Sequence, residues 1–243
     1  MKKPRLISLF CGRFPGEKAA AIFADQEAAS FSSIGYETTL IAPRRLGRGT
    51  LTSKPYRTVY LPTIDLSLVP VLWCAANIVN VLIYSKLALL WILFTGNRNS
   101  VIMSNESLPL LCATFVCPNT MYVMHDFSGH PWVAKLLFRR VRWILATNQW
   151  KATELESRFG VSHEKIIIER NAVDTDVFSS VSKTDARREL GLDDRGRLIA
   201  YTGHLYEWKG ADTLAKAAQQ LPDMTFVFVG GTEADVQRFK RTH

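Results

Sequence analysis

The chain has 243 residues, of which 47% are apolar and 21% charged, and this globular composition excludes a disordered or low-complexity protein. Its four cysteines form no CxxC pair, which argues against a disulfide scaffold and a zinc ribbon and indicates a reducing compartment. The net charge of +8 and the pI near 9.4 favour a polyanionic partner, such as nucleic acid, an anionic bilayer or a phosphorylated metabolite.

The first apolar segment, Leu6–Cys11, is predicted to be a buried parallel strand. It is shorter than the roughly 7–15 residues of a signal-peptide core, and no small-residue cleavage site follows, so we expect a cytoplasmic protein. The loop Gly12–Gly16 leads into an Ala-rich helix at Glu17–Ile34, and a second strand is predicted at Glu37–Ala42. This βαβ unit is typical of a doubly wound α/β sheet.

The segments that follow continue the alternation of strands and helices. Trp132–Arg140 is predicted to be a basic helix, and Lys151–Phe159 a polar helix that ends at Gly160. Asn171–Phe178 is a turn-rich connector. Further strands are predicted at Ser100–Met103, Met121–Met124, Trp143–Thr147 and Lys165–Glu169.

The long apolar stretch Leu66–Phe94 is interrupted at Pro70 and at Ser85-Lys86, and it leaves three interpretations open. The first is a buried helix pair under the sheet. The second is an interfacial helix that docks the protein on a membrane, which the aromatic residues and the positive net charge favour. The third is a transmembrane span, against which two asparagines and Lys86 count, because polar groups are costly in lipid.

The alternation restarts after a polar linker at Ser179–Lys183. We therefore predict a Rossmann-like doubly wound parallel sheet in residues 1–180 and a second Rossmann-like domain in residues 181–243. The 61 residues from 183 to 243 are fewer than the roughly 100–150 of a whole α/β domain, so the second domain is expected to be incomplete. Its predicted elements are a strand at Leu198–Thr202, a helix at Ala211–Leu221 with Leu214, Ala217, Ala218 and Leu221 on one face, and a strand at Thr225–Val229.

Several enzyme signatures are missing from the sequence. The loop Gly12–Lys18 does not have the Walker spacing, and no GxGxxG follows the first strand. GxSxG and HExxH are absent, which leaves serine hydrolases and zincins without support. No cluster of His, Cys, Asp and Glu has metal-ligand spacing, so no metal site is predicted.

Three loops remain as candidate sites, and each follows the carboxyl end of a predicted parallel strand, where open α/β sheets bind ligands. Gly12–Lys18 is either an anion site that uses Arg13 and Lys18 or a plain turn with solvated charges. His125 is either structural or functional. Gly203–Gly210 places Lys209 before a helix N-terminus, where a diphosphate would meet a full charge and the helix dipole together.

Four segments, in this order, resemble motifs of the retaining glycosyltransferases of the GT-B fold, family 4. They are Phe14-Pro-Gly-Glu-Lys18, His125-Asp126, Arg170–Phe178 and Tyr201–Asp212. Two positions depart from the family pattern, because Ala172 replaces a glycine and His204 stands where many members have a phosphate-binding arginine.

The resemblance implies a hexosyltransferase that moves a sugar from a nucleotide-sugar donor to a lipid-linked or polysaccharide acceptor of the cell envelope, with retention of anomeric configuration. It implies that His125 is catalytic and that Arg13 and Lys18 bind the acceptor. It implies no metal or other cofactor. The implied contacts of the donor diphosphate are Gly12, Gly203, His204 and Lys209.

The family's paired-glutamate motif lies beyond Val229 and is not reached before His243. The resemblance therefore implies either a fragment of a longer enzyme or a shortened, inactive homologue, and the rival interpretation is a non-catalytic module that binds an acceptor or a membrane. The expected partners are the nucleotide-sugar donor and a glycan or lipid-linked acceptor. The anionic inner face of the cell membrane is a further candidate partner. Nucleic acid is not expected, since RNP, zinc-finger and clustered basic motifs are absent.

Overall fold

The computed structural model describes residues 3–12, 14–15, 19–44, 53–63, 73–95, 99–127, 130–176, 178, 181–192 and 196–243, and for residues 73–76 the backbone alone. These residues form two compact units, Met1–Ala172 and Val173–His243. The sequence predicts a boundary between residues 180 and 181.

The first unit is built on a parallel sheet whose described strands bond in the order β3-β2-β1-β4-β5-β6-β7. The order reverses between β1 and β4, as in a doubly wound sheet, so the predicted Rossmann-like fold class is confirmed. The sequence missed β3, an edge strand in which polar and apolar residues mix. The strands are β1 (Arg5–Leu9), β2 (Glu37–Pro43), β3 (Arg57–Leu61), β4 (Val101–Ser104), β5 (Thr120–Met124), β6 (Trp143–Ala146) and β7 (Ile166–Ile168).

Helices cover both faces of this sheet. Leu40 and Ile41 are neighbours on β2 and therefore point to opposite faces. Leu40 packs in a cluster with Ala24 of the first helix, whereas Ile41 packs in a cluster with Tyr84 of the second. The helices are α1 (Ala19–Ser33), α2 (Trp73–Phe94), α3 (Ser107–Ala113), α4 (Pro131–Arg140) and α5 (Gln149–Phe159).

The apolar stretch Leu66–Phe94 contains one continuous helix, α2, in its described part. Ser85 does not interrupt this helix, because its Oγ donates a hydrogen bond to the carbonyl of Val81 one turn earlier (2.6 Å) and so satisfies the hydroxyl within the helix. The predicted break at Ser85-Lys86 is therefore wrong, while residues 64–72 lie outside the described part.

One side of α2 belongs to the core and the other does not. Tyr84 is fully buried and donates a hydrogen bond to the carbonyl of Ile41 (2.7 Å), with Ala88 and Ile92 buried along the same side. Among the described helices, the segment Asn77–Phe94 is long and apolar enough to cross a membrane by length and composition, with a mean hydropathy of 1.8, yet 28% of it is buried within the fold.

In the second unit, β8 (Arg197–Thr202) and β9 (Met224–Val229) pair in parallel. The helices are α6 (Lys183–Glu189), α7 (Ala211–Gln219) and α8 (Glu233–Thr242).

Two details of this unit differ from the prediction. No helix is predicted at α6, which begins after Ser182, whose hydroxyl accepts a hydrogen bond from the backbone of Asp185 (3.1 Å). Of the predicted α7 face, Leu221 lies beyond the end of the helix and is exposed, whereas the structure buries Ala211 and Ala215. The helix is two residues shorter than predicted, and its inner face is shifted accordingly.

Candidate functional site

The carboxyl ends of β1, β4 and β5 lie at one edge of the first sheet, since these strands are parallel neighbours. This is the point where the strand order reverses, which is where open α/β sheets bind ligands. A narrow cleft of about 10 Å³ lies there, between the ends of β1 and β4, the α1 residues Phe23 and Glu27, and His125. His125 and Gly12 are thus at the same edge, as the order of strands and loops predicts.

His125 follows β5 directly and is held by both its ring and its backbone. Its ring stacks on that of Phe23, with centroids 5.4 Å apart and planes at 23°. Its carbonyl accepts a hydrogen bond from Lys151 Nζ (2.6 Å). Burial and the charge of Lys151 lower the pKa of His125, and the neighbouring Asp126 opposes them more weakly. The site therefore favours a neutral imidazole in a fixed place.

Glu27 lines the same cleft, and it was not predicted from the sequence as a site residue. Burial raises the pKa of its carboxyl group from 4.5 to about 7, and no described residue forms a hydrogen bond or ion pair with it. Nothing in the local sequence marks Glu27, because what distinguishes it is burial, which only the structure shows. A carboxyl group that titrates near neutrality beside a histidine is a feature common in functional sites.

Glu106 is a second carboxyl group at this edge that the sequence did not predict. Burial, and then the charge of Asp126, raise its pKa. Its backbone N–H donates to Ser104 Oγ (2.9 Å), and that hydroxyl donates to the carbonyl of Leu9 (2.7 Å). These two bonds fix the turn from β4 into α3 against the end of β1.

The first loop is described only in part. A Cβ on Gly12 would lie 2.5 Å from Cζ of Phe10, so the ring of Phe10 covers the place where a side chain would stand. A side chain at this position would therefore require the ring of Phe10 to move. Arg13 and Lys18, the predicted acceptor contacts, lie outside the described residues.

In the second unit, the loops after β8 and β9 approach each other at the carboxyl edge of their sheet. The N–H of Gly203 donates to the carbonyl of Val229 (2.9 Å). A Cβ on Gly230 would lie 2.4 Å from the carbonyl oxygen of Gly203, and Gly230 has φ +120°, so this contact needs glycine at position 230. Gly203 and Gly230 are exposed, so the backbone there has no side-chain cover, while the N–H of Gly203 is already engaged by Val229.

The side chains of that loop form a row. The rings of His204 and Tyr206 stack at 4.9 Å, and those of Tyr206 and Trp208 at 6.0 Å. Lys209 Nζ lies 4.4 Å from the ring centre of Trp208, and the lysine is exposed. Gly210, with φ +79°, is the N-cap of α7 and supplies no side-chain cap. An exposed ammonium therefore stands before a helix end that no N-cap side chain satisfies.

No group of three or more His, Cys, Asp or Glu that would hold a metal ion occurs within the described residues.

Similarity to known proteins was found in sequence and in structure. The chain is 31% identical over 88 residues to D-inositol 3-phosphate glycosyltransferase from Mycobacterium sp. (strain KMS), a match of 36% of this chain and 20% of that enzyme. The enzyme of the same name from Mycobacteroides abscessus is 32% identical over 88 residues, with the same coverage. No protein-family model matches the chain.

Solved structures match nearly the whole chain. Sucrose-phosphate synthase from Thermosynechococcus elongatus superposes with a TM-score of 0.76 and 16% identity, over 99% of this chain and 67% of that one. A glycosyltransferase from Rickettsia africae has a TM-score of 0.67 and 13% identity, over 100% and 64%. Anabaena HepE, solved with UDP and glucose, has a TM-score of 0.64 and 18% identity, over 98% and 64%.

The fold is the Rossmann-like α/β fold of GT-B glycosyltransferases. This chain spans about two thirds of the length of those solved structures, and its sequence match spans a fifth of the curated relatives. The roles predicted for His125, Lys209, His204, Gly203 and Gly12 remain predictions, although each of these residues lies after the carboxyl end of a strand.

Proposed function

We propose that this protein is a retaining hexosyltransferase that uses a nucleotide-sugar donor and a lipid-linked or polysaccharide acceptor of the cell envelope. The observation that carries the proposal is the 88-residue match, at 31% identity, to a curated glycosyltransferase. It is supported by a fold shared with HepE, whose structure was solved with UDP and glucose. Membership of family 4 and retention belong to the proposal.

The donor diphosphate is proposed to bind at the loop Gly203–Gly210. Three features of the second unit support this place. They are the exposed backbone at Gly203 and Gly230, which have no side chains, the exposed ammonium of Lys209, and the N-terminus of α7. A diphosphate there gains backbone donors, the helix dipole and a full positive charge. His204 adds a ring N–H, and Gly12 is proposed as a further donor contact.

The protein's main catalytic task in this reaction is to stabilise charge on the leaving group. The bond from the anomeric carbon to the diphosphate oxygen breaks, the acceptor oxygen bonds to the same face of the sugar, and its proton passes to the departing diphosphate. Negative charge therefore grows on the diphosphate, where Lys209 is most useful. We propose no metal or other cofactor, since the nucleotide sugar is a substrate and side chains and backbone supply the charge.

His125 is proposed to contact the transferred sugar. Its lowered pKa keeps the imidazole neutral, so it offers one donor and one acceptor to sugar hydroxyls without adding a charge. Glu27, in the same cleft, is proposed to bind a hydroxyl of the sugar or the acceptor. Arg13 and Lys18 are kept as proposed acceptor contacts. A lipid-linked acceptor would place the reaction on the cytoplasmic side of the cell membrane.

Calorimetric titration of UDP, GDP and ADP, and of their sugars, into the 243-residue chain tests the donor proposal. We expect one nucleoside diphosphate to bind more tightly than the others. When acceptor lipid is present, the matching sugar nucleotide should be converted and that nucleoside diphosphate should appear as a product. The anomeric proton coupling of the product, measured by NMR, tests retention. Binding of acceptor lipid with no response to any of the three nucleotides would favour the non-catalytic module instead.

A further inference from the structure

The side of α2 that faces away from the core carries an exposed apolar stripe. Ile78 and Leu82 lie four residues apart, hence on one helix face, and are 64% and 53% exposed. Val79 is exposed beside them. Lys86 continues the same face one turn later and is also exposed. The stripe is therefore apolar with a cation at one end.

Helix α4 presents a second stripe of the same kind. Trp132, 63% exposed, and Leu136 are four residues apart and form its apolar part. Lys135 and Arg139, also four residues apart, lie exposed next to them. The sequence of α4 contains three basic residues and no acidic one, and that of α2 contains one lysine and no acidic residue.

A groove of about 400 Å³ lies between α2, α3 and α4. Ile78 and Leu82 line it from α2, Leu108 from α3 and Val133 from α4. Glu106 also lines it, and burial raises the pKa of this carboxyl group. We call the two stripes and the groove between their helices the docking face.

We infer that the docking face binds the surface of an anionic lipid bilayer, with α2 lying in the plane of the interface. The charge pattern favours this partner: Lys86, Lys135 and Arg139 flank the apolar residues, and the whole chain carries a net charge of +8. An exposed tryptophan beside leucine and basic side chains is typical of helices that lie at a membrane interface. Basic residues near an anionic bilayer each add to the attraction.

Packing within the fold explains why α2 lies on the membrane and does not cross it. Tyr84, Ala88 and Ile92 are buried in the core, and the hydroxyl of Tyr84 is bonded to the carbonyl of Ile41. Insertion of the whole helix into lipid would expose this side of the sheet and break that bond. Contact through the docking face alone keeps the core intact. This binding does not depend on the proposed transferase activity.

Co-sedimentation with vesicles tests the inference on the 243-residue chain. We expect binding to vesicles of equal phosphatidylcholine and phosphatidylglycerol, and weak binding to phosphatidylcholine alone. Leu82→Glu is expected to lower the partition coefficient at least about tenfold, since it removes an apolar contact and adds a negative charge. The double change Lys135→Glu and Arg139→Glu is expected to lower it by about tenfold or more on anionic vesicles, because two positive charges are reversed.

Ile34→Glu is the matched control, because Ile34 is also an exposed isoleucine but follows α1 on the other face of the sheet. It should bind as the unchanged protein does, and circular dichroism should show all variants folded. Absence of binding to anionic vesicles, or equal loss in all variants, would overturn the inference. Membrane binding that resists alkaline carbonate extraction would also overturn it, because that result indicates a spanning helix. A third contrary result would be a protein that does not bind vesicles but self-associates with increasing concentration, with Leu82→Glu abolishing the association.

Discussion

Replacing Glu27 by Gln is expected to stabilise the first unit at neutral pH and to flatten the dependence of its stability on pH. Burial raises the pKa of this carboxyl group from 4.5 to about 7 in the folded chain. The folded state therefore holds the proton more tightly than the unfolded state. The stability that this gives is fully present below pH 4.5 and is lost as the pH rises to about 7.

The size of this effect follows from the shift. Each pKa unit is worth about 1.4 kcal/mol, so the unchanged protein is expected to lose about 3 kcal/mol of unfolding free energy across that window. Glutamine is neutral at every pH and nearly the same size, so Glu27→Gln should remove the loss and gain up to about 3 kcal/mol above the window.

Urea unfolding at pH values on both sides of the window measures this difference. Tryptophan fluorescence is a suitable signal, because all the tryptophans except Trp208 lie in the first unit. Glu169→Gln is the control, since it makes the same substitution at an exposed glutamate of the first unit. Equal slopes for the unchanged protein and Glu27→Gln would refute the argument, as would a loss of stability in Glu27→Gln at neutral pH.

The other predictions concern the proposed site and the second unit. Lys209→Ala should weaken binding of the nucleoside diphosphate about ten- to a hundredfold in calorimetry, because one charge-assisted contact of about 1.5–3 kcal/mol is lost. Lys216→Ala, which removes another exposed lysine, should leave the affinity unchanged. Equal affinities of Lys209→Ala and the unchanged protein would mean that Lys209 is a solvated charge. His125→Ala should lower turnover about a hundredfold or more while nucleotide affinity is kept. In the unchanged protein, turnover should fall on the acid side only below pH 6.5, because burial and the neighbouring Lys151 lower the pKa of His125. A fall that begins above pH 6.5 would contradict this. Gly230→Ala should destabilise the second unit by about 2 kcal/mol or more, since the added Cβ would lie 2.4 Å from the carbonyl oxygen of Gly203; unchanged hydrogen-exchange protection of β8 and β9 would contradict it.

The main elements of the sheet could be predicted because each depends on local sequence. Short apolar segments predict strands at Ser100–Met103 and Met121–Met124, and the structure has them at Val101–Ser104 and Thr120–Met124. Gly160, with φ +64°, ends α5 where predicted. Strand Arg57–Leu61 was missed because it lies at the edge of the sheet and is only partly buried, so its residues do not show an apolar pattern.

The candidate site was predictable to the extent that its residues follow strand ends. His125 and the loop Gly203–Gly210 come directly after apolar segments, and the chain order alone puts them at a carboxyl edge. Glu27 lies within a helix and Glu106 before one, and what distinguishes both is burial. Burial depends on which elements pack against a residue, and a single sequence does not contain that information.

The sequence by itself determined the α/β class, the parallel strands around the reversal point and the excess of positive charge. Only the tertiary structure decided which side of α2 is buried, because this helix is apolar nearly all round and its sequence favours neither side. Packing against the sheet buries Tyr84 and leaves Leu82 exposed, although both side chains are apolar for most of their surface. The physical reason is that hydrophobic burial has no direction of its own, so the neighbouring sheet and helices select the face.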